Sequence, residues 1–526
     1  MYDLDMPRNA SAPSGSSMSL TASADLRRRE VARKLLPSSK ASLGQFMTPA
    51  PIAEFMASLF PLPDSPSVRI LDAGAGVGSL TAALVQRICD NPGRAKDVIV
   101  TCYEIDPTLL AHLEATVEEC RRAVVAAGLR FRSNLKACDF IEDATNGISP
   151  DIFSPNGGTE SYTHAILNPP YRKIQTGSLY RRLLSRTGIE TSNLYSAFVA
   201  LAIKLLSPTG QLAAITPRSF CNGPYFLPFR KLLVSEMSIL HIHTFEMRDE
   251  AFRDDDVLQE NVILLAAKGA QSDRVMLSTS QGPEFRSATS RIAPFSEVVY
   301  ADDPHLVIHI PATEDDKRIA GQLRALRFTL DDLSIQVSTG PVVDFRLSSY
   351  IHEVPASGTV PLLYAAHFKS GVVQWPHPAR RKPSAIDLTE DTRKWLMPEG
   401  HYTVTRRFSS KEERRRVVAA VFDPSLAPGK MVGFENHLNV FHAGGHGLRP
   451  EIARGLCIYL NSTLVDRFFR QFNGHTQVNA SDLRNLRYPD PNILRRLGSA
   501  WQEGPLPSQE AIDEVVNAAL ADQPSR

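Results

Sequence analysis

The stretch VRILDAGAGVGSL, residues 68–80, has the pattern from which we first predict the fold. Mostly apolar residues lead into Asp72, and glycines follow at positions 74, 76 and 78 before a helical pattern begins. Glycines let a chain turn sharply after a strand and let its backbone approach a ligand closely. Open α/β sheets bind their ligands at this carboxyl edge of the strands. The stretch therefore predicts the first strand, the ligand loop and the first helix of a parallel sheet.

Outward from this stretch, apolar strands alternate with longer helical patterns. Helical patterns such as SLTAALVQRICD (79–90) and NLYSAFVALAIKLLSP (193–208) separate the strands. The candidate strands are Val68–Asp72, Val98–Tyr103, His164–Leu167, Gln211–Thr216, Ile239–Phe245 and Asn261–Ala266. Such alternation predicts an α/β fold with an open, mostly parallel, doubly wound, Rossmann-like sheet.

Changes in composition divide the chain into four segments. Residues 1–40 combine a Ser/Ala/Pro/Gly-rich run (9–24), which we expect to be disordered, with a short basic helix. Residues 41–330 hold the sheet and, from about residue 271, a connecting region. Short strands and basic clusters predict a separate α+β domain over residues 331–505, followed by a tail over residues 506–526.

The overall composition is that of an ordinary globular protein. The 526 residues are 43% hydrophobic and 22% charged with a formal net charge of +1, so any basic surface must be local. The scattered cysteines form no CxxC pair, which fits a reducing cytoplasm and predicts no metal site. We find neither a signal-peptide pattern nor an apolar run near the about 18 residues that span a membrane, and we expect a cytoplasmic protein.

The glycine loop and two further strand ends predict a cofactor site. A dinucleotide fingerprint would need a third glycine at position 79, where this chain has Ser79. The spacing found here is the usual one in enzymes that use S-adenosylmethionine (AdoMet). At the next strand end, the Glu104 carboxylate is suited to the ribose hydroxyls and Ile105 to the adenine face, and at a third, Asp139-Phe140 is suited to the adenine amine.

A rigid polar turn ends the candidate strand before residue 168. Asn168-Pro169-Pro170-Tyr171 stops the strand, because proline fixes φ and has no N–H to donate. An exocyclic amine is a poor nucleophile, since its lone pair is delocalised into the base. Two acceptors, the Asn168 side-chain oxygen and the Pro169 carbonyl, would draw that nitrogen toward tetrahedral geometry, and Tyr171 would stack on the base. The turn therefore predicts methyl transfer to an amino group, without a covalent enzyme intermediate.

The order of these motifs resembles that of the gamma-class N6-adenine DNA methyltransferases of type II restriction–modification systems. The motifs are LGQFMTP (43–49), DAGAGVG (72–78), YEID (103–106), CDF (138–140) and NPPY (168–171). The resemblance implies an AdoMet-dependent methyltransferase domain over residues 41–330 and a DNA target-recognition domain over residues 331–505. It also implies that Phe252 sandwiches a base flipped out of the duplex.

The resemblance assigns the remaining site residues as well. Those expected to bind the cofactor are Phe46, Thr48, Asp72, Gly74, Gly76, Glu104, Ile105, Asp139 and Phe140, and those expected to form the base pocket are Asn168, Pro169, Pro170 and Tyr171.

Two polar clusters in the C-terminal half are candidates for contact with double-stranded DNA. The basic run 406–416 is either a phosphate-binding set or a solvated helix face that Glu412 and Glu413 neutralise. The stretch FNGHTQVNASDLR (472–484) either contacts base edges or forms a polar turn. The candidate residues are Arg406, Arg407, Lys411, Arg414, Arg415 and Arg416 in the first cluster, and Asn473, His475, Gln477 and Asn479 in the second.

Several alternative functions share this tetrad. Glutamine-directed protein methyltransferases and RNA guanine-N2 methyltransferases use it, but they usually lack a large C-terminal domain. N4-cytosine DNA methylation uses the same geometry, although its tetrad usually begins with Ser or Asp, and a non-catalytic DNA-binding subunit could keep the fold. Because we find no nuclease motif, a cognate restriction endonuclease, if there is one, should be a separate protein.

Overall fold

A computed structural model of the protein describes residues 18–34, 47–148, 161–246, 260–283, 285–376, 382–426, 430–501 and 504–521. The chain divides into two compact units, 1–313 and 314–526. The predicted boundary at residue 330 lies within the second unit.

The first unit is built on one sheet of nine strands. Its strands are β1 (Ser67–Ala73), β2 (Asp97–Tyr103), β3 (Arg130–Lys136), β4 (Tyr162–Leu167), β5 (Leu206–Pro217), β6 (Met237–Phe245), β7 (Asn261–Lys268), β8 (Arg274–Ser280) and β9 (Thr289–Pro294). They lie in the order β3-β2-β1-β4-β5-β7-β6-β8-β9. β7 is antiparallel to both of its neighbours, and β9 is antiparallel to β8, whereas the remaining pairs are parallel.

Helices cover both faces of this sheet. The helices of the first unit are α1 (Leu20–Lys34), α2 (Ala50–Ser58), α3 (Ser79–Asp90), α4 (Pro107–Ala126), α5 (Phe140–Ile148), α6 (Leu179–Arg186), α7 (Leu194–Leu205), α8 (Leu227–Glu236) and α9 (Phe295–Val298). Side chains of β1 alternate between two cores, because successive residues of a strand point to opposite faces. Leu71 joins the core under α5 and α7, and Ile70 joins the core under α2, α3 and α4. The predicted doubly wound α/β fold is confirmed.

The second unit combines two small sheets with helices, as predicted for an α+β domain. A six-stranded sheet has the order β10-β20-β17-β18-β14-β13, and a five-stranded sheet has the order β11-β15-β12-β19-β16. The strands are β10 (Gln336–Thr339), β11 (Ile351–His352), β12 (Thr359–Leu363), β13 (Phe368–Lys369), β14 (Val372–Val373), β15 (Ala385–Asp387), β16 (Leu396–Pro398), β17 (Tyr402–Arg406), β18 (Ala419–Phe422), β19 (Met431–Phe434) and β20 (Leu438–His442). The helices are α10 (Glu314–Arg324), α11 (Glu390–Arg393), α12 (Pro450–Leu460), α13 (Thr463–Phe472), α14 (Ala480–Arg484), α15 (Pro491–Ser499) and α16 (Gln509–Ala521).

The structure corrects two expectations about the first unit. Residues 20–24, expected to be disordered, form the first turn of α1, because Ala24 and Val31 are buried and Arg27 donates to Glu119 of α4 at 3.0 Å. Residues 271–294, expected to be part of a connection, contain β8 and β9 at the edge of the sheet. The polar end of β8 is buried because Ser278 contacts the rings of buried histidines on β6.

Candidate active site

The glycine loop connects β1 to α3 and is fixed to the end of β2. Gly74, Gly76 and Gly78 have φ angles of 78°, 58° and 85°, which residues other than glycine rarely adopt. The N–H groups of Gly74 and Ala75 both donate to the Tyr103 carbonyl at 2.9 Å. The loop therefore presents its backbone, with few side-chain atoms, at the carboxyl edge of the sheet.

Glu104 lies directly after β2 and is bound to this loop. One of its carboxylate oxygens accepts from the Gly76 N–H at 2.8 Å, and the other accepts from the Asp106 N–H at 2.7 Å. Burial raises the pKa of Glu104, and the backbone hydrogen bonds from Asp106 and Gly76 oppose that rise. A buried carboxylate held in this way is an acceptor already oriented for polar hydrogens of a ligand.

A pocket opens beside the loop and Glu104. Among the predicted residues, those that line it are Gly74, Gly76, Glu104, Ile105, Asp139, Phe140, Asn168 and Pro170. Ile105 is 53% exposed, so it offers free apolar surface in the pocket. The structure thus brings three strand ends and two residues of the Asn-Pro-Pro-Tyr turn to one cavity, whereas Pro169 and Tyr171 do not line it. A larger groove lies at the opposite end of the strands, near the start of β1 and β4, away from these residues.

Other residues of the pocket were not predicted. Met47, Arg172, Tyr180 and Phe198 also line it. Tyr180 donates to one oxygen of the Asp139 carboxylate at 2.5 Å, and the other oxygen accepts the Glu142 N–H of α5 at 3.0 Å. Tyr180 comes from α6, after the turn, and no spacing in the sequence connects it with residue 139. The signals available in the sequence were the position of Arg172 directly after the tetrad and that of Met47 within the motif LGQFMTP.

Two hydrogen bonds fix the Asn168 side chain at the end of β4. Its Nδ2 donates to the Thr48 hydroxyl at 3.0 Å, and its Oδ1 accepts from the Tyr171 hydroxyl at 3.1 Å. Tyr171 also contacts the Ile215 carbonyl at 3.3 Å, and its ring lies edge-on to Tyr195. The Asn168 amide is thus held by one hydrogen bond at its nitrogen and one at its oxygen, and the residue also lines the pocket.

Several predicted cofactor contacts lie elsewhere. Asp72 is fully buried and accepts from Thr81 of α3 at 2.7 Å, so it supports the strand–helix junction and does not line the pocket. Burial also raises the pKa of Asp72 to about 7. Thr48 is buried against Asn168, and its neighbour Met47 lines the pocket in its place. Phe46 and Phe252 lie outside the described residues.

Some of the predicted DNA contacts of the second unit have structural roles. Arg416 and Asn473 are each 1% exposed, so we correct both: they are structural residues. Asn479 caps α14 through its contacts with Asp482, as the polar-turn alternative predicted. Arg406 ends β17, and the rest of the basic run lies in the connection 407–418 between the paired strands β17 and β18, which forms bends and turns and not a helix.

The remaining candidates of the second unit retain exposed surface. Arg414 is exposed, and Arg415 is half-buried and donates to Asn461 at 2.9 Å. Arg406, Arg407, His475 and Gln477 are half-buried. Throughout the described parts of the chain, no helix has both the length and the apolar character needed to cross a bilayer.

Comparisons with known proteins agree with this architecture. A family model described as Eco57I restriction-modification methylase matches residues 127–252. The chain is 46% identical over 464 residues to the type II methyltransferase M.BsuBI of Bacillus subtilis, which covers 88% of this chain and 91% of the relative. It is 43% identical over 494 residues to the type II methyltransferase M.PstI of Providencia stuartii, with 94% and 96% covered.

One of the solved structures with a similar fold allows a comparison over most of the chain. It is the type IIL restriction-modification enzyme MmeI in complex with DNA, which matches with a TM-score of 0.50 and 12% identity over 87% of this chain and 71% of that chain. At this identity the likeness concerns the fold alone.

Proposed function

The chain belongs to the type II methyltransferases of restriction–modification systems, and from that premise we propose that it transfers the methyl group of AdoMet to N6 of adenine in duplex DNA. The proposal includes a base flipped out of the stack, because the target atom is otherwise inside the duplex. The observation that carries it is the Asn168 amide, which two hydrogen bonds hold beside the pocket that Glu104 and the glycine loop also line.

The pocket offers acceptors and apolar surface that suit AdoMet. Glu104 provides carboxylate acceptors for ribose hydroxyls, Ile105 an exposed apolar surface for adenine, and Asp139 an acceptor for the adenine amine. The bare backbone at Gly74 and Gly76 leaves room for the amino acid part. When bound, AdoMet supplies an electrophilic methyl group on a sulfonium.

The turn 168–171 supplies the groups that activate the acceptor amine. Its two N–H bonds are accepted by the Asn168 Oδ1 and the Pro169 carbonyl, and this pairing pulls the nitrogen out of conjugation with the ring. Tyr171 stacks on the base, and the Asn168 Oδ1, which accepts from the Tyr171 hydroxyl in the free protein, accepts the N–H of the amine. The chain itself forms no covalent bond with the base.

Asn168→Ala tests this proposal. Loss of one of two acceptors should lower the single-turnover rate of methyl transfer by about 10²–10³-fold, by analogy with a lost oxyanion-hole donor. AdoMet affinity, measured by calorimetry, should change little, because the partner of Asn168 is the base. Asn91→Ala, at an exposed asparagine after α3, is the matched control and should behave as wild type. A rate near that of wild type in Asn168→Ala would refute the role of the turn.

The identity of the modified base needs a direct measurement. We expect N6-methyladenine in nucleosides hydrolysed from plasmid DNA of a host that expresses the chain. N4-methylcytosine would leave the amine chemistry intact but overturn the choice of adenine. We also propose that a partner restriction endonuclease, where one exists, is a separate protein that cleaves the same unmodified site.

A further inference from the structure

One end of the six-stranded sheet in the second unit joins three chain segments that are distant in sequence. β17 ends at Arg406, which pairs with Leu438, the first residue of β20. Beyond this point the Arg407 N–H donates to the His437 carbonyl at 2.9 Å, and the Val478 N–H donates to the Arg407 carbonyl at 2.8 Å. Phe408 and Gln477 form an isolated antiparallel bridge. The segments 407–409, 436–437 and 475–478 therefore form one surface.

A buried layer of hydrogen bonds fixes two of these segments, 407–409 and 475–478, from below. The Arg416 guanidinium donates to the Asn473 Oδ1 at 2.8 Å, to the Ser409 hydroxyl at 3.2 Å and to the His475 carbonyl. Asn473 in turn donates through Nδ2 to the Gln477 carbonyl at 3.1 Å. A loop held through its backbone by buried side chains does not need to become ordered when a ligand binds.

The side chains above this layer are chemically suited to base edges. Phe408 is 42% exposed, the His437 side chain is 51% exposed and Thr476 is exposed, while Gln477 is half-buried. The His437 Nδ1 contacts the buried Glu435 carboxylate, so Nε2 is the ring nitrogen left for a ligand. Imidazole, amide and hydroxyl groups read the donors and acceptors of bases in the major groove, and an aromatic ring contacts a thymine methyl.

One arginine lies in the surface that carries these side chains, and another is exposed in the turn that leaves it. Arg407 lies within the surface, with its guanidinium 6.0 Å from the centroid of the Phe408 ring, and Arg414 is exposed in the turn between β17 and β18. Phosphate contacts from such residues position a duplex, whereas neutral polar groups between them select its sequence.

We propose that Phe408, His437, Thr476 and Gln477 contact the bases of the target site in the major groove of duplex DNA, and we call these four residues the recognition face. This inference rests on the proposed function. The buried Arg416–Asn473 layer positions this face and does not touch DNA. The same segments thus contain two functionally different sets of residues.

The test compares two double variants at opposite ends of one sheet. His437→Ala with Gln477→Ala removes two members of the recognition face. His446→Ala with Gln336→Ala removes the same residue types at the far end, where His446 follows β20 and exposed Gln336 pairs with His442. The probes are a duplex of about 25 base pairs with the site found by methylation-aware sequencing, and a duplex of scrambled sequence.

We expect the first double variant to lose about tenfold or more in affinity for the site-bearing duplex and none for the scrambled one. The salt dependence should stay as in wild type, and the control should keep both affinities within about twofold. The thermal midpoint of the first double variant should fall, because the buried Glu435 carboxylate loses its contact with His437. Gln477→Glu, which keeps the side-chain size, should also lose the preference for the site if the double variant folds poorly.

Equal loss on both duplexes, or no loss on either, would overturn the recognition face, as would a wild-type protein without site preference. Methyl transfer to cytosine would overturn only the proposed base, because the binding comparison does not depend on which base is modified.

Discussion

At the scale of single residues, the orientation of Asn168 depends on Thr48. The Thr48 hydroxyl accepts the Asn168 amide N–H and is buried, so water does not replace it easily. Thr48→Val should reduce the methyl-transfer rate about five- to tenfold, the effect of one neutral hydrogen bond of about 1 kcal/mol, with unchanged AdoMet affinity. Thr48→Ser keeps the hydroxyl and should restore the rate. If valine and serine give the same rate, the hydroxyl does not orient the amide.

Asp72 and Glu104 show what a sequence pattern does and does not predict about single residues. Both are acids near the end of a strand, and both were predicted to contact the cofactor. The strand register pairs Asp72 with Cys102, so Glu104 lies two residues further toward the carboxyl edge, about 6–7 Å. That offset places Glu104 in the pocket and leaves Asp72 beneath the loop against Thr81. The register follows from tertiary pairing, which neither local motif encodes.

At the scale of elements, β8 depends on one buried hydroxyl. Ser278 lies 2.7 Å from ring nitrogens of both His241 and His243, and burial lowers the pKa of these histidines to about 4 and about 3. Ser278→Ala leaves buried ring nitrogens without that partner and should destabilise the first unit by about 1–3 kcal/mol. Ser290, its exposed neighbour on β9, offers the control: Ser290→Ala should leave the thermal midpoint unchanged. Equal midpoints for the two variants would contradict the role of Ser278.

The sequence predicted the strands that are buried through apolar side chains and missed the strand that is buried through polar contacts. β1, β2, β4, β5, β6 and β7 have runs of apolar residues, and each contains or overlaps its predicted strand. β8 ends in Ser-Thr-Ser, so its burial depends on histidines far away in sequence. α1 was partly missed for a similar reason, since its burial depends on partners in α4 and on small residues such as Ala24.

At the scale of the whole molecule, a net charge of +1 means that local cations must supply the attraction to DNA. Arg414→Gln should weaken binding to all duplexes alike and reduce the slope of log affinity against log salt by about 0.9, the value for one released phosphate counterion. Arg416→Gln should instead lower the thermal midpoint, because it leaves buried partners without their donor. Fluorescence anisotropy over a salt series and thermal unfolding measure the two effects. A flattened salt slope in Arg416→Gln at an unchanged midpoint would mean that this arginine contacts phosphate after all.

The separation between the buried Arg416–Asn473 layer and the residues above it has an evolutionary consequence. Substitutions at His437, Thr476 or Gln477 leave every hydrogen bond of that layer in place. The layer holds residues 475–478 through the backbone carbonyls of His475 and Gln477, and its hydrogen bonds do not involve the His437 side chain. Mutations there can therefore accumulate without disturbing this layer, whereas a change at Arg416 disturbs three partners at once. We expect gene duplicates of this enzyme to acquire new target preferences through the outward positions, with the arginine and its asparagine inherited unchanged.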